Sequence, residues 1–202
     1  MVANINNYYE FEFDSFYCYP NTNVLKNKLN VQDEVKLNVA EREITSVKIS
    51  VLEKNIIRGN FDLKHLKDIH KNIFCDIYDW AGQIRTVNII KGNMFCNCMY
   101  INVCADELFK KLKSENYLRK LPFNELPDKL AFYFGEINAL HPFREGNGRT
   151  QRLFIEYLAR ELGYSINFTK ITEKEMIDAS NLAFIGKYDS MTKIFNNVLE
   201  KN

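Results

Sequence analysis

The feature that most constrains the fold is a pair of helical patterns on either side of a short polar loop. Apolar residues recur at spacings of three and four from Leu126 to Leu140, which is typical of a helix with one buried face. A second helical pattern runs from Asn147 to Leu162 and is followed by Gly163, a residue often found just past a helix C-terminus. We therefore predict core helices over 124–162, with the loop between them.

Helical patterns also cover most of the remaining chain. They lie over 33–55, which predicts a long amphipathic helix, and over 63–74, 105–118 and 172–200, the last stretch holding two shorter helices. Asn60 or Asp62 can cap the second of these helices, because short polar side chains accept hydrogen bonds from the first backbone N–H groups.

Two segments depart from the helical pattern. Within 84–100, residues Arg85 to Ile89 alternate polar and apolar before a Lys91-Gly92-Asn93 turn, which predicts a lone β-hairpin. Residues 1–32 begin with dense and irregularly spaced aromatic side chains, so we predict an arm packed on the body of the protein. An arm that docks a partner protein is the alternative.

Composition limits the class of protein. The 202 residues fit a single domain, 1–202, and are enough for a hydrophobic core. Lysine and arginine number 27 against 26 acidic residues, and a net charge of +1 argues against a nucleic-acid partner. No apolar run is long enough for a membrane helix, and five scattered cysteines without a signal segment favour a reducing cytosol. We expect a soluble cytoplasmic protein with no membrane partner.

The loop between the core helices carries groups suited to a polyphosphate. Gly146-Asn147-Gly148 at the start of a helix can direct unpaired backbone N–H groups at an anion, helped by the helix dipole. Glu145 supplies a carboxylate oxygen suited to a magnesium ion shared with phosphates. Arg149 and Arg152 lie three residues apart on one helical face and can both reach the outer phosphates. This arrangement predicts a nucleoside triphosphate as ligand.

A histidine at the beginning of this loop can act as a base. His141 has a side chain that titrates near neutrality and can take a proton from an incoming hydroxyl. We expect Phe143 to pack in the core and fix the loop, and Pro142 to limit the backbone beside the histidine.

The segment resembles the Fic family motif, His-x-Phe-x-acid-Gly-Asn-Gly-Arg-x-x-Arg, at every specified position from His141 to Arg152. Segments 59–63, 78–82 and 85–88 also resemble those that lead into the flap of such proteins. The resemblance implies an all-α Fic fold, a helical bundle with a short β-hairpin flap over the active site. It also implies transfer of AMP from ATP to a Ser, Thr or Tyr hydroxyl of a target protein, with release of pyrophosphate.

The resemblance gives each motif residue a role. His141 would be the general base and Glu145 the ligand of Mg²⁺, with residues 146–148 as the anion cradle. Arg149 and Arg152 would bind the β and γ phosphates. Catalysis would then depend mainly on positioning and on stabilisation of charge.

The hairpin is expected to bind the target protein. An exposed strand edge from Ile89 to Phe95 could pair with an extended target segment and hold its hydroxyl near the base. The residues predicted to dock the target or the nucleotide are Ile89, Lys91, Gly92, Asn93 and Met94. A solvated hairpin tip is the alternative.

Other functions stay open at this point. A Fic-like centre could transfer another group, such as phosphate or phosphocholine, or remove AMP, although the intact Gly-Asn-Gly-Arg argues against phosphate transfer. A non-catalytic nucleotide-binding module is a further alternative, which the presence of both His141 and Glu145 disfavours. Metal sites elsewhere are poorly supported, because His65 and His70 would point about 140° apart on a helix and Cys96-Asn97-Cys98 lacks a second ligand pair.

The inhibitory segment of the family, Ser/Thr-x-x-x-Glu-Gly/Asn, is incomplete in this chain. Ser50 is followed by Glu53 at the wrong spacing, and Glu173 after Thr169 has a lysine behind it. Residues 19–29 resemble the start of Fic toxins and injected effectors that a small antitoxin restrains. We therefore expect an antitoxin-like helical partner whose glutamate meets Arg152, in a bacterial cytoplasm, with delivery into another cell as an open alternative. The oligomeric state is not predicted.

Overall fold

The computed structural model describes residues 14–201, and seven α-helices form most of this part of the chain. They are α1 Glu34–Lys54, α2 Leu63–Phe74, α3 Ile101–Ser114, α4 Leu126–Leu140, α5 Asn147–Glu161, α6 Glu173–Phe184 and α7 Asp189–Val198. Short 3-10 helices lie at Cys98–Tyr100, Asn116–Leu118, Phe123–Glu125 and Phe168–Lys170.

Capping side chains explain why several helices begin where the sequence predicts. Asp33 accepts a hydrogen bond from the N–H of Lys36 at the start of α1, and Asp62 accepts one from the N–H of His65 in α2. Thr172 forms a reciprocal capping box with Glu175 before α6. The helix predicted from Ala105 begins earlier, at Ile101, because a 3-10 turn leads directly into it.

The predicted hairpin is shorter than expected. Strand β1 Ile90–Lys91 pairs with β2 Asn93–Met94 in an antiparallel arrangement, with Gly92 at the tip. The alternating residues Arg85 to Ile89 form no strand, and two of their backbone groups bond elsewhere: the N–H of Arg85 bonds the carbonyl oxygen of Pro142, and the carbonyl oxygen of Val87 accepts from the Arg85 side chain.

The hairpin is also not alone. A second antiparallel sheet joins β3 Tyr164–Ile166 to β4 Leu199–Lys201, with Tyr164 opposite Lys201 and Ile166 opposite Leu199. This sheet connects the turn after α5 to the end of α7 and was not predicted.

Helices α4 and α5 lie at the centre of the core. Helix α4 packs against α5, α6 and α7, and α5 packs against α2. Three successive residues of α5, Leu153, Phe154 and Ile155, are all buried, so this helix is enclosed on more than one side. The loop between α4 and α5 is therefore held by two well-packed helices.

The described end of the N-terminal arm packs on the body. Tyr17 is buried, with its ring edge-on to Trp80 at 5.6 Å between centroids. The carboxylate of Asp14 forms an ion pair with Arg144 at 2.9 Å, which joins the arm to the loop between α4 and α5. The aromatic residues Tyr8, Tyr9, Phe11 and Phe13 of the predicted arm lie outside the described residues. Within residues 14–201 no helix has the length and apolar character needed to cross a membrane.

Candidate active site

His141 ends α4 in a left-handed backbone conformation, with φ of 44°. Its N–H bonds the carbonyl oxygen of Ile137, and its ring stacks on Phe95 with centroids 3.8 Å apart. The ring nitrogen Nδ1 is fully enclosed and has no hydrogen-bond partner of normal geometry among the described residues. Nε2 is therefore the nitrogen through which the ring can meet a substrate.

The ring of His141 is neutral at physiological pH. Burial is the main cause that lowers its pKa to about 3, and the positive charges of Lys91 and Arg85 lower it further. The backbone of Asn138 opposes the shift by a smaller amount. A neutral imidazole has a free lone pair, which is the form that a general base needs.

Asn147 stabilises the motif loop from inside. Its Oδ1 accepts a hydrogen bond from the N–H of Phe143 at 2.8 Å, and its Nδ2 donates to the carbonyl oxygen of the same residue at 2.7 Å. The side-chain amide expected in the anion cradle is thus engaged with the loop itself. Asn147 therefore shapes the loop with its side chain, and its backbone N–H can bind an anion.

Gly146 precedes α5, and the structure leaves no space for a larger residue there. Its φ is 79°, and a Cβ atom at this position would lie 2.2 Å from Cζ of Phe74. Among the described residues, no hydrogen bond engages the N–H groups of Asn147, Gly148 and Arg149 in the first turn of α5. Gly148 is exposed, so the open end of α5 can receive an anion.

Glu145 is half-buried beside this helix end. Its Oε1 accepts a hydrogen bond from the N–H of Gly146 at 2.8 Å and lies 3.6 Å from Nη2 of Arg149. One carboxylate of this kind fits Mg²⁺, which is usually held by one or two protein carboxylates together with substrate phosphates. Within residues 14–201 no group of three or more His, Cys, Asp or Glu side chains is placed to hold a metal ion.

The two arginines of the motif differ in their surroundings. Arg149 bonds Oγ1 of Thr45 at 2.9 Å and forms a close ion pair with Glu41, and its guanidinium lies 4.8 Å from the ring centre of Phe74. Arg152 makes no hydrogen bond or ion pair with any described residue. Burial, followed by the charge of Arg149, lowers the pKa of Arg152. Arg152 is therefore the open cation of the pair.

Helix α1 contributes to the site, which the sequence did not reveal. Glu41 is buried and also accepts a close hydrogen bond from the hydroxyl of Tyr78. Burial, and next the negative charge of Glu41, raises the pKa of Tyr78 far above its ordinary value. Glu41 and Tyr78 together hold Arg149 in place from outside the motif.

His70 supports the motif loop from α2. Its Nδ1 accepts a hydrogen bond from the N–H of Gly82 at 2.8 Å, so Nε2 carries the proton and donates to the carbonyl oxygen of Glu145 at 3.0 Å. The ring stacks on Phe143 at 3.9 Å, and burial lowers its pKa to about 3. Phe143 is buried as predicted, and His70 is the partner that fixes it.

His65 has a similar structural role elsewhere in α2. Its ring accepts a hydrogen bond from the N–H of Phe61 at 3.3 Å and bonds the carbonyl oxygen of Ile57 at 2.8 Å. The two histidines of α2 therefore both bind backbone groups.

The flap does not expose all the residues expected to dock a target. Ile89 is buried, and Phe95 is covered by its contact with His141, so these two side chains fix the flap and do not form its outer edge. Ile90, Lys91 and Met94 are exposed. Gly92 has φ of 74° at the tip, with nothing within 4 Å of a Cβ placed there. The edge available to a partner is thus limited to residues 90–94.

Glu173 is the glutamate whose surrounding sequence comes nearest to the inhibitory segment of the family. It begins α6, and its negative charge acts on Arg152, raising the pKa of that guanidinium against the larger effect of burial. The two side chains form no ion pair. Arg152 thus stays open to another anion.

Comparison with known proteins identifies the family. Residues 60–159 match the model of the Fic/DOC family. The chain is 35% identical over 187 residues to the probable protein adenylyltransferase Fic of Escherichia coli, a match that covers 92% of each chain. The chain belongs to the Fic/DOC family. This Fic chain is also 41% identical over 179 residues to the protein adenylyltransferase VbhT of Bartonella schoenbuchensis, where the match covers 88% of the chain but only 37% of the longer relative.

Solved structures share the fold. The BepC effector of Bartonella tribocorum with bound AMPPNP superimposes with a TM-score of 0.88 at 27% identity, covering 95% of this Fic chain and 100% of BepC. A Bep effector Fic domain of Bartonella quintana with bound ADP gives a TM-score of 0.87 at 29% identity, covering 92% of this chain and 95% of that one. The expected all-α Fic fold with a small hairpin is thereby confirmed.

Proposed function

We propose that this Fic chain is a protein adenylyltransferase, which transfers AMP from ATP to a Ser, Thr or Tyr hydroxyl of a target protein and releases pyrophosphate. The observation that carries the proposal is the combination of a neutral His141 with the open N–H groups at the start of α5 and the open Arg152. The names of the relatives support it, as do the adenine nucleotides bound in two structural neighbours.

The chemistry begins at His141. The target hydroxyl donates its proton to Nε2 of the neutral ring while its oxygen attacks the α phosphorus, and the bond from that phosphorus to the bridging oxygen of pyrophosphate breaks. The accepted proton gives the ring a positive charge beside the departing polyphosphate, which favours the protonated form at that stage.

The phosphates would bind at the end of α5. The N–H groups of residues 147–149 and the guanidinium of Arg152 are the donors free to receive oxygen atoms. Arg149 would contribute the N–H groups that Glu41 and Thr45 leave unused. Glu145 would hold Mg²⁺, which when bound withdraws negative charge from the phosphates.

The partners follow from the same residues. A target segment would lie along residues 90–94 of the flap, and the open Arg152 would accept a glutamate from a separate, antitoxin-like inhibitor. The bacterial relatives support a bacterial cytoplasm as its location, and the translocated effectors among the structural neighbours keep delivery into another cell as the alternative.

A labelling experiment tests the proposal. The protein is incubated with a bacterial lysate, Mg²⁺ and ATP labelled at the α phosphate, and labelled protein is measured for the native chain and for His141→Ala. We expect label with the native chain and at least about a hundredfold less with the variant, because a general base contributes about 10²–10⁴ in rate. A His141→Ala protein that binds a non-hydrolysable ATP analogue like the native chain but labels protein equally well would overturn the proposal.

A further inference from the structure

Arg85 is a buried arginine that bonds three backbone carbonyl groups. Its Nε donates to the carbonyl oxygen of His141 at 2.8 Å, and its Nη1 donates to that of Val87 at 2.6 Å. Its Nη2 donates to the carbonyl oxygen of Cys96 in a close contact, and its own backbone N–H bonds Pro142. One side chain therefore joins three segments of the backbone.

These three carbonyl groups mark functionally distinct places. Val87 lies before strand β1 of the flap, Cys96 lies after strand β2, and His141 carries the ring that acts as base. Within residues 14–201 no carboxylate forms an ion pair with Arg85, so carbonyl oxygens alone stabilise its buried charge. The planar guanidinium donates to the three acceptors from three separate nitrogen atoms held in a fixed geometry, whereas lysine carries all its donors on one nitrogen atom and an apolar residue has none.

Other contacts also connect the flap to the end of α4. The ring of Phe95 stacks on His141, and the N–H of Phe95 bonds the carbonyl oxygen of Ile89 at 3.1 Å. The N–H of Cys96 bonds the carbonyl oxygen of Ala139 near the end of α4 at 3.0 Å. Movement of residues 95 and 96 would therefore disturb the ring of His141 directly.

We propose that Arg85 is a positioning residue that fixes both ends of the flap to the carbonyl oxygen of His141, so that a target segment on the flap is held in register with the catalytic ring. This inference rests on the proposed function, since it concerns the same hydroxyl acceptor. Arg85 itself touches neither ATP nor the target.

The main test uses readouts that do not depend on AMP transfer. Hydrogen exchange by NMR is measured for the amides of Phe95 and Cys96 in the native chain and in Arg85→Met, both without nucleotide. We expect exchange at these two amides to become at least about tenfold faster in the variant. Without the three guanidinium hydrogen bonds, the backbone around residues 95 and 96 opens more easily. Amides in the middle of α5 should exchange at the native rate.

Titration of the three histidines gives the second readout. We expect the pKa of His141 to rise by about one unit or more in Arg85→Met, because a nearby positive charge is removed and the flap covers the ring less firmly. Lys91, the other cation that acts on His141, is present in both proteins. His65 and His70 bond the carbonyl oxygens of Ile57 and Glu145, which Arg85 does not bond, so both rings should titrate as in the native chain.

Two further variants complete the design. Arg160→Met is the matched control, because Arg160 also bonds a backbone carbonyl and an acid but lies near the far end of α5. It should leave flap exchange and His141 unchanged. Arg85→Lys keeps the positive charge but places its donors on a single nitrogen atom, so it cannot reproduce the three-point contact, and it decides the question if Arg85→Met does not fold. Faster exchange at Phe95 and Cys96 in the lysine variant supports the proposal.

Native exchange at Phe95 and Cys96, together with a native titration of His141, in a folded Arg85 variant would overturn the positioning role. Failure of the proposed function looks different. In that case the exchange and titration change as expected, while protein receives no AMP from the native chain.

Discussion

The motif region, residues 141–152, and the flap, residues 89–95, face each other but are held in very different ways. Asn147, His70 and Arg85 fix the motif loop through hydrogen bonds to its backbone, and Gly146 packs directly against Phe74. The flap pairs through two-residue strands and exposes its tip. The difference indicates that the groups proposed to bind ATP are held rigidly, whereas the edge proposed to meet a protein target has fewer contacts and can adapt to it.

The largest effect on stability is expected from substitution of an arginine in the motif region. Arg149→Met should lower the free energy of unfolding by about 3–5 kcal/mol, because it leaves the buried Glu41 without its counter-ion. Arg152→Met removes no hydrogen bond or ion pair among the described residues, and because burial already disfavours the charge of Arg152, it should not lower the free energy of unfolding. Urea unfolding of both variants measures the difference.

The same pair should separate stability from binding. We expect Arg152→Met to weaken binding of an ATP analogue by about tenfold or more, since a charged hydrogen bond contributes about 1.5–3 kcal/mol. Equal stability losses in the two variants, or native affinity in Arg152→Met, would contradict the distinction between a fixed and an open arginine.

A glycine pair compares the two regions directly. Gly146→Ala should cost about 2–4 kcal/mol, because it adds a severe contact with Phe74 to the strain of a positive φ. Gly92→Ala at the flap tip carries similar strain without a contact and should cost only about 1 kcal/mol. Thermal unfolding provides the measurement. A cost for Gly92→Ala as large as that for Gly146→Ala would mean that the flap is as constrained as the motif loop.

Acid should weaken the motif region before the flap, which contains no histidine or carboxylate. His70 and His141 have folded-state pKa values of about 3, below the ordinary value near 6.5 of an unfolded chain. At these two histidines, therefore, only the unfolded state binds protons as the pH falls from 6.5 towards 3. The free energy of unfolding should drop by up to about 1.4 kcal/mol per pH unit for each histidine.

Urea unfolding at pH 7 and pH 5 checks this dependence, and His70→Asn should show a smaller drop between the two values than the native chain. A stability that is equal at both pH values in the native chain would be inconsistent with two neutral, buried histidines.

The smallest effect on stability is expected in the flap. Met94→Ala removes an exposed side chain and should change the free energy of unfolding by less than about 0.5 kcal/mol. Binding of an ATP analogue should be native, while AMP transfer to protein falls, because Met94 lies on the edge predicted to meet the target. Transfer that stays at the native rate would remove Met94 from the docking surface.

Sequence patterns predicted the helices well because helix signals are local. The caps Asp33, Asp62 and Thr172 act on residues three positions away, and the amphipathic spacing of α4 lies within one segment. The second sheet was missed because its three-residue strands lie more than thirty positions apart in the chain, and strands that short carry no clear alternation.

The candidate site could be predicted only in part, because a local pattern does not show which distant residues contact it. The motif itself predicts a base, a metal ligand and a cradle, but the residues that contact them come from elsewhere in the chain. Glu41 is 108 positions from Arg149, His70 is 75 from Glu145, and Arg85 is 56 from His141. The alternation of polar and apolar residues from Arg85 to Ile89 predicts a strand. A buried arginine occupies a polar position in this alternation just as an exposed one does, so the sequence does not distinguish them.

Attack at the α phosphorus, directed by the rigid motif region, is the central claim to be tested. The most direct measurement is the ratio of two labels in protein after incubation with Mg²⁺ and ATP that carries one isotope of phosphorus at the α position and another at the γ position. We expect modified protein to contain the α label alone, with the γ label recovered in pyrophosphate. Protein that carries the γ label without the α label would show that phosphate is transferred instead, and would contradict attack at the α phosphorus.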